Sequence, residues 1–141
     1  MRKRTHAREF ALMILYQTEI AKLSVEESLQ IFWEEHQAEE EIRNFASSLV
    51  KGTLEHLKRI DGVISLHADN WELSRMAAVD RNILRLATYE LMYRKEEIPP
   101  KVSLNEAVDL AKKFGDTESG RFVNGVLDRI SKVEGGLTRK D

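Results

Sequence analysis

Residues 1–8 (MRKRTHAR) carry Arg2, Lys3, Arg4 and Arg8 and no acid. Clustered cations of this kind neutralise the phosphates of a nucleic acid. About two helical turns beyond Arg8 stands Tyr16, whose ring can stack on an unpaired base. The same ring could instead pack against the other half of the molecule, and the residues alone leave both readings open. A second group, Glu118, Ser119, Arg121, Phe122 and Asn124, falls in the first turns of a predicted helix. Free amides and the positive dipole end at a helix start favour an anion. Arg121 adds a fixed charge there, and Asn124 shares its face. Chemistry of other kinds lacks its residues. His6, His36, His56 and His67 form no HExxH motif, and the acidic residues make no Glu-x-x-His pair. With no phosphate loop, dinucleotide fingerprint or nucleophile elbow, no catalytic residue, metal or cofactor is expected.

The totals agree with a binding protein. The 141 residues suit one compact domain, and 42% hydrophobic against 33% charged side chains suits a helical globule. The absence of cysteine removes thiol catalysis and disulfides and fits a reducing cytoplasm. No run approaches the length of a membrane span, and the basic start lacks the apolar core of a signal peptide. The net charge of −2 conceals segregation. Residues 24–42 contain Glu26, Glu27, Glu34, Glu35, Glu39, Glu40 and Glu41 without any Lys or Arg. A basic arm on an acidic body restricts a polyanion to one place.

Helical periodicity must position these groups. Ala7, Phe10, Ala11, Ile14 and Leu15 follow i, i+3, i+4, i+7, i+8 and give a first helix its core stripe. Leu12, Tyr16 and Ile20 form a second stripe roughly opposite Ile14. Ser24 with Glu27 forms a capping box for a second helix, with Leu29, Phe32 and Trp33 inward. A third region runs from about Glu40 to His67, with a break predicted at Gly52 or Gly62. Residues 68–74 read as a connection in which Trp71 anchors a groove between two halves. Val79–Arg94 is the strongest helix. Pro99 and Pro100 precede a helix capped by Ser103 and Glu106 and closed by Gly115 as a left-handed C′ residue. Asp116 or Thr117 caps the last helix, where Phe122, Val126, Leu127 and Ile130 point inward. Gly125 in that helix suggests close approach of a neighbour. The fold expected is all-α, with about seven helices in two small packed bundles. It forms a single domain over 1–141, with halves at about 1–68 and 74–134 and a short, mobile polar tail at 135–141.

Four stretches also resemble the NusB family of transcription antitermination factors. They are AREFALMILY at Ala7–Tyr16, DRNILRLATYEL at Asp80–Leu91, IPPKVSLNEAVDLAKKFG at Ile98–Gly115 and SGRFVNGVLDRI at Ser119–Ile130. The resemblance implies a non-enzymatic protein of two helical subdomains. It implies binding to boxA, a single-stranded element of ribosomal RNA leader transcripts, together with NusE, a small-subunit ribosomal protein, in an RNA polymerase antitermination complex. Position by position, Arg2, Lys3, Arg4, Arg8, Tyr16, Arg121, Phe122 and Asn124 match the family's RNA side. Glu118 and Ser119 lie beside it, and Asp80 and Arg85 match positions near the RNA and partner surface. Two departures stand out: Thr5 and His6 interrupt the arginine cluster, and Met13 replaces a side chain that can hydrogen-bond. The alternatives are a stand-alone RNA-binding module and a scaffold whose RNA site is closed by weak homodimerisation through Leu12, Tyr16 and Ile20.

Overall fold

A computed structural model describes residues 2–69 and 71–134; the predicted tail lies outside the described residues. Among the described residues there are seven α-helices, one short 3-10 turn and no strand. The chain divides into two compact units at the Glu55–His56 junction.

In the first unit, α1 (Lys3–Ala21), α2 (Val25–Glu35) and α3 (Glu40–Glu55) pack pairwise, α1 most extensively on α3. Ala7, Phe10, Ala11, Ile14 and Leu15 of α1 are buried, as are Leu29 and Phe32 of α2 and Ala46, Leu49 and Val50 of α3. The Ser24 capping box forms in full: Glu27 N–H donates to Ser24 Oγ at 3.1 Å, and Ser24 N–H to Glu27 Oε1 at 3.0 Å. Hydrogen bonding to the carboxylate from Ser24, first from its backbone N–H and then from its side chain, holds Glu27 below the ordinary carboxylate range. A polar link ties α2 to α1, with Gln17 Nε2 donating to Ser28 O at 2.9 Å and Thr18 Oγ1 to Ser28 Oγ at 2.6 Å.

The second unit comprises α4 (Leu57–His67), the 3-10 turn Leu73–Arg75, α5 (Ala78–Tyr93), α6 (Pro100–Phe114) and α7 (Ser119–Val133). Helix α5 packs on α4, α6 and α7. Its apolar residues are spread around the cylinder, so Ile83, Leu84, Leu86, Ala87 and Leu91 are all buried. Ser103 Oγ donates to Glu90 Oε1 at 2.7 Å across the buried α5–α6 contact.

Several expectations change. Gly52 and Gly62 stay inside α3 and α4, and the break falls at His56. Packing outweighs the glycine cost of about 1 kcal/mol. Because α4 packs on α5 and α7, the unit boundary precedes residues 68–74. Ser103 is no cap: α6 starts at Pro100, whose fixed φ suits a first helical position. Gly115 is extended, with φ −93° and ψ −167°, rather than left-handed. Its need for glycine is steric, since a Cβ there would press on the Ser119 hydroxyl and lie 2.8 Å from Ala111 O. Gly125 has open space beside it, with only the Arg129 guanidinium at 4.0 Å from such a Cβ.

Candidate nucleic-acid interface

The basic arm begins α1. Arg2 is exposed, whereas Lys3 is engaged by acids at the start of α3, with Nζ 3.1 Å from Glu41 Oε1 and 3.4 Å from Glu39 Oε1. The bond to Glu41, then that to Glu39, raises the Lys3 ammonium above the ordinary lysine range. Arg4 is exposed, with its guanidinium 4.2 Å from the centroid of the Phe45 ring. Arg8 approaches the same ring at 5.6 Å but is only 3% exposed. Its place on α1 turns it beside Ala7 and Ala11 into the packed side, so its charge serves the first unit rather than an open surface.

Tyr16 is 43% exposed. Its companions differ from the predicted stripe. Leu12 is buried, and Met13, Tyr16 and Ile20 form the exposed row, at i, i+3, i+7 on one face.

In the second unit the α6–α7 turn builds the other group. Asp116 Oδ1 accepts from Glu118 N–H at 2.9 Å and from Ser119 Oγ at 3.2 Å, and Asp116 N–H donates to Ser119 Oγ at 3.0 Å. The predicted cap does not form: Glu118, not Asp116 or Thr117, occupies the N-cap position without a side-chain cap bond, and Asp116 instead holds the one Glu118 N–H within the turn. Ser119 is buried in this network, and Glu118, Arg121 and Asn124 are exposed. Phe122 is half-buried, not a core residue, and meets the Trp71 ring edge to face at 5.8 Å.

Trp71 itself is 53% exposed and lies within the second unit. With Arg75, Met76, Asp80, Ser119 and Phe122 it lines a cleft of about 310 Å³. Arg85 is placed apart from it, bidentate on Asp61 at 2.8 and 3.0 Å, which binds α5 to α4. The contribution of Trp71 was missed in the sequence, though an aromatic in a polar connection (ADNWELS) is a usable sign. Lys112 was missed too; with Arg121 and Asn124 it lines a shallow cleft of about 420 Å³.

Among the described residues no helix is long and apolar enough to cross a membrane. What the geometry offers is cations beside exposed aromatic rings on a helical scaffold. These features define the class of small helical nucleic-acid-binding proteins. The NusB family model matches residues 5–132, and the chain belongs to the NusB family. A relative from Thermodesulfovibrio yellowstonii, called transcription antitermination protein NusB, is 42% identical over 94% of this chain and 93% of its own. One of the same name from Exiguobacterium is 47% identical over 94% and 99%. Among solved structures, T. maritima NusB superposes with a TM-score of 0.85 at 37% identity, covering 96% of this chain and 94% of that one. A structure of antitermination factors NusB and NusE with double-stranded RNA gives 0.84 at 33%, covering 94% and 98%.

Proposed function

We propose that this protein is a transcription antitermination factor acting in the cytoplasm without catalysing a reaction. It binds the boxA element of ribosomal RNA leader transcripts as single-stranded RNA. It does so with NusE, within an RNA polymerase antitermination complex. The observation that carries this reading is near-full-length similarity to the NusB protein solved with NusE and double-stranded RNA. Residues 1–141 act as one binding domain needing no cofactor. Arg2 and Arg4 hold phosphates, and Lys3 joins them when it leaves its acids. Tyr16 and Phe122 supply rings for bases, and Arg121 and Asn124 supply polar contacts. NusE covers part of the RNA and part of this protein, so each raises affinity for the other by the same factor.

The test is titration of a boxA-type RNA and a scrambled RNA, each with and without NusE, at two salt concentrations. Preference for boxA that grows with NusE and falls with salt supports the reading. Equal binding to both RNAs, unchanged by NusE, overturns it. The exposed Met13–Tyr16–Ile20 row supports a second reading, in which a second copy covers α1 and closes the arm. Sedimentation at micromolar concentration distinguishes a weak homodimer from a monomer.

A further inference from the structure

His6 stands within the basic arm, one helical turn after Arg2, whose carbonyl accepts from His6 N–H at 3.0 Å. Residues at i and i+4 share a helix face, so His6 is the neighbour of exposed Arg2. One face of its imidazole lies on the Phe10 ring, with centroids 4.5 Å apart and planes at 29°. Phe10 is buried and is met edge to face by Phe32 at 5.6 Å, Trp33 at 5.5 Å and His36 at 6.1 Å. His6 therefore rests half-buried on a packed aromatic shelf. Its ring nitrogens make no hydrogen bond among the described residues, and neither is sealed from solvent. His36 differs, because its Nδ1 lies 3.1 Å from Phe32 O at the end of its own helix.

An imidazole presented in this way has a use that depends on its proton. Neutral, it offers one N–H donor; protonated, it offers two donors and a full charge. Histidine is the side chain that ordinarily makes this change near neutral pH. The charges around His6 are of both signs. On α1 they are Arg2, Lys3, Arg4 and Glu9. From the helices packed on α1 come Glu35 and His36 at the end of α2, and Glu39 and Arg43 at the start of α3. A phosphodiester arriving beside Arg2 and His6 adds a negative charge within hydrogen-bond reach, which favours the imidazolium in the complex. The Phe10 ring holds the imidazole in place and attracts it further once it is charged. Two nearby cations are committed elsewhere: Lys3 Nζ rests on Glu39 and Glu41, and Arg8 is 3% exposed.

We infer that His6 is a proton-dependent phosphate contact of the arm, so that the protein holds RNA more tightly in mildly acidic than in mildly alkaline solution. This rests on the RNA-binding reading above. Arg2 supplies a charge that is always present, and His6 supplies one that follows pH.

The test titrates one labelled boxA-type RNA against the wild type, His6→Gln, His6→Arg and His36→Gln. Each is measured at about pH 6 and about pH 8, at two salt concentrations. One added contact to single-stranded RNA steepens the salt slope by about 0.7, which is about 5-fold in affinity at ~100 mM salt. The wild type should gain up to that factor, and the steeper slope, at the lower pH relative to His6→Gln. His6→Arg should keep the tighter binding at both pH values, and His36→Gln should respond as the wild type does. The RNA is the same throughout, so its own titration cancels between proteins. An equal pH response in the wild type and His6→Gln overturns the inference while RNA binding stands. So does a response lost in His36→Gln and retained in His6→Gln. A lowered melting temperature in His6→Gln with an unaltered salt slope also overturns it, by making His6 a packing residue. No RNA binding by the wild type at either pH removes the underlying reading as well.

Discussion

Lys3 is a cation whose charge is already countered, and freeing it should strengthen RNA binding. Its Nζ lies 3.1 Å from Glu41 and 3.4 Å from Glu39, so the arm meets a phosphate with one charge fewer than its sequence suggests. Replacing both acids, Glu39→Gln with Glu41→Gln, leaves the lysine in place and removes two negative charges beside the arm. One added phosphate contact to single-stranded RNA steepens the slope of log affinity against log salt by about 0.7. Between about 200 mM and about 50 mM salt, that slope favours the variant by roughly 2.5-fold beyond the wild-type gain. Loss of the two negative charges adds to this most at low salt, where screening is weakest. Fluorescence anisotropy with a labelled boxA-type RNA across that salt range measures both quantities. An unchanged slope would refute the reasoning, because Lys3 would then have no phosphate to gain. Weaker binding with a shallower slope would refute it differently, by showing that the acids orient the arm for RNA.

Arg8→Ala should lower stability by about 1–3 kcal/mol by emptying a packed position, without changing the salt slope of RNA binding. Tyr16→Ala should do the reverse, costing about 1–3 kcal/mol of RNA affinity with little change in melting temperature; thermal melts run beside titrations separate the two. Gly115→Ala should destabilise the second unit by about 1–3 kcal/mol, because the new methyl group meets Ser119 and the Ala111 carbonyl. Urea unfolding reads that loss, and an unchanged midpoint would deny the close approach. Glu27 has a lowered folded pKa, so its contribution is present above the ordinary carboxylate value near 4.3 and is lost as pH falls through the depressed one. Glu27→Gln should therefore flatten the acid limb of stability against pH, and an unaltered limb would count against the capping contribution.

The helices were legible because apolar residues at helical spacing leave few other ways to bury them. Two identical cap signatures show where such reading stops. Ser24 and Glu27 make both reciprocal bonds, whereas Ser103 gives its hydroxyl to Glu90, thirteen residues earlier in the chain. The preceding prolines had already begun α6, and a tertiary partner took the side chain. Arg121, Phe122 and Asn124 were legible as a group because one helix start holds them together. Arg8 was misread since arginine suggests surface, yet its angular position on α1 turns it inward. The break at His56 carries no glycine or proline to announce it. The Asp80 cleft depends on a 3-10 turn and on α7 converging, which no local pattern encodes.

The Glu90–Ser103 bond also bears on errors of assembly. If α6 slid along α5 by one turn, about 5.4 Å, apolar side chains could still meet apolar side chains. The Glu90 carboxylate, however, would keep its burial and lose that hydroxyl. Slipped packings are therefore penalised in a way that oily contact alone would not achieve. Because α7 follows directly from the end of α6, any such misalignment would be passed to Phe122 and its neighbours. A single hydroxyl–carboxylate contact in the interior thus acts as a gauge for where the surface chemistry ends up.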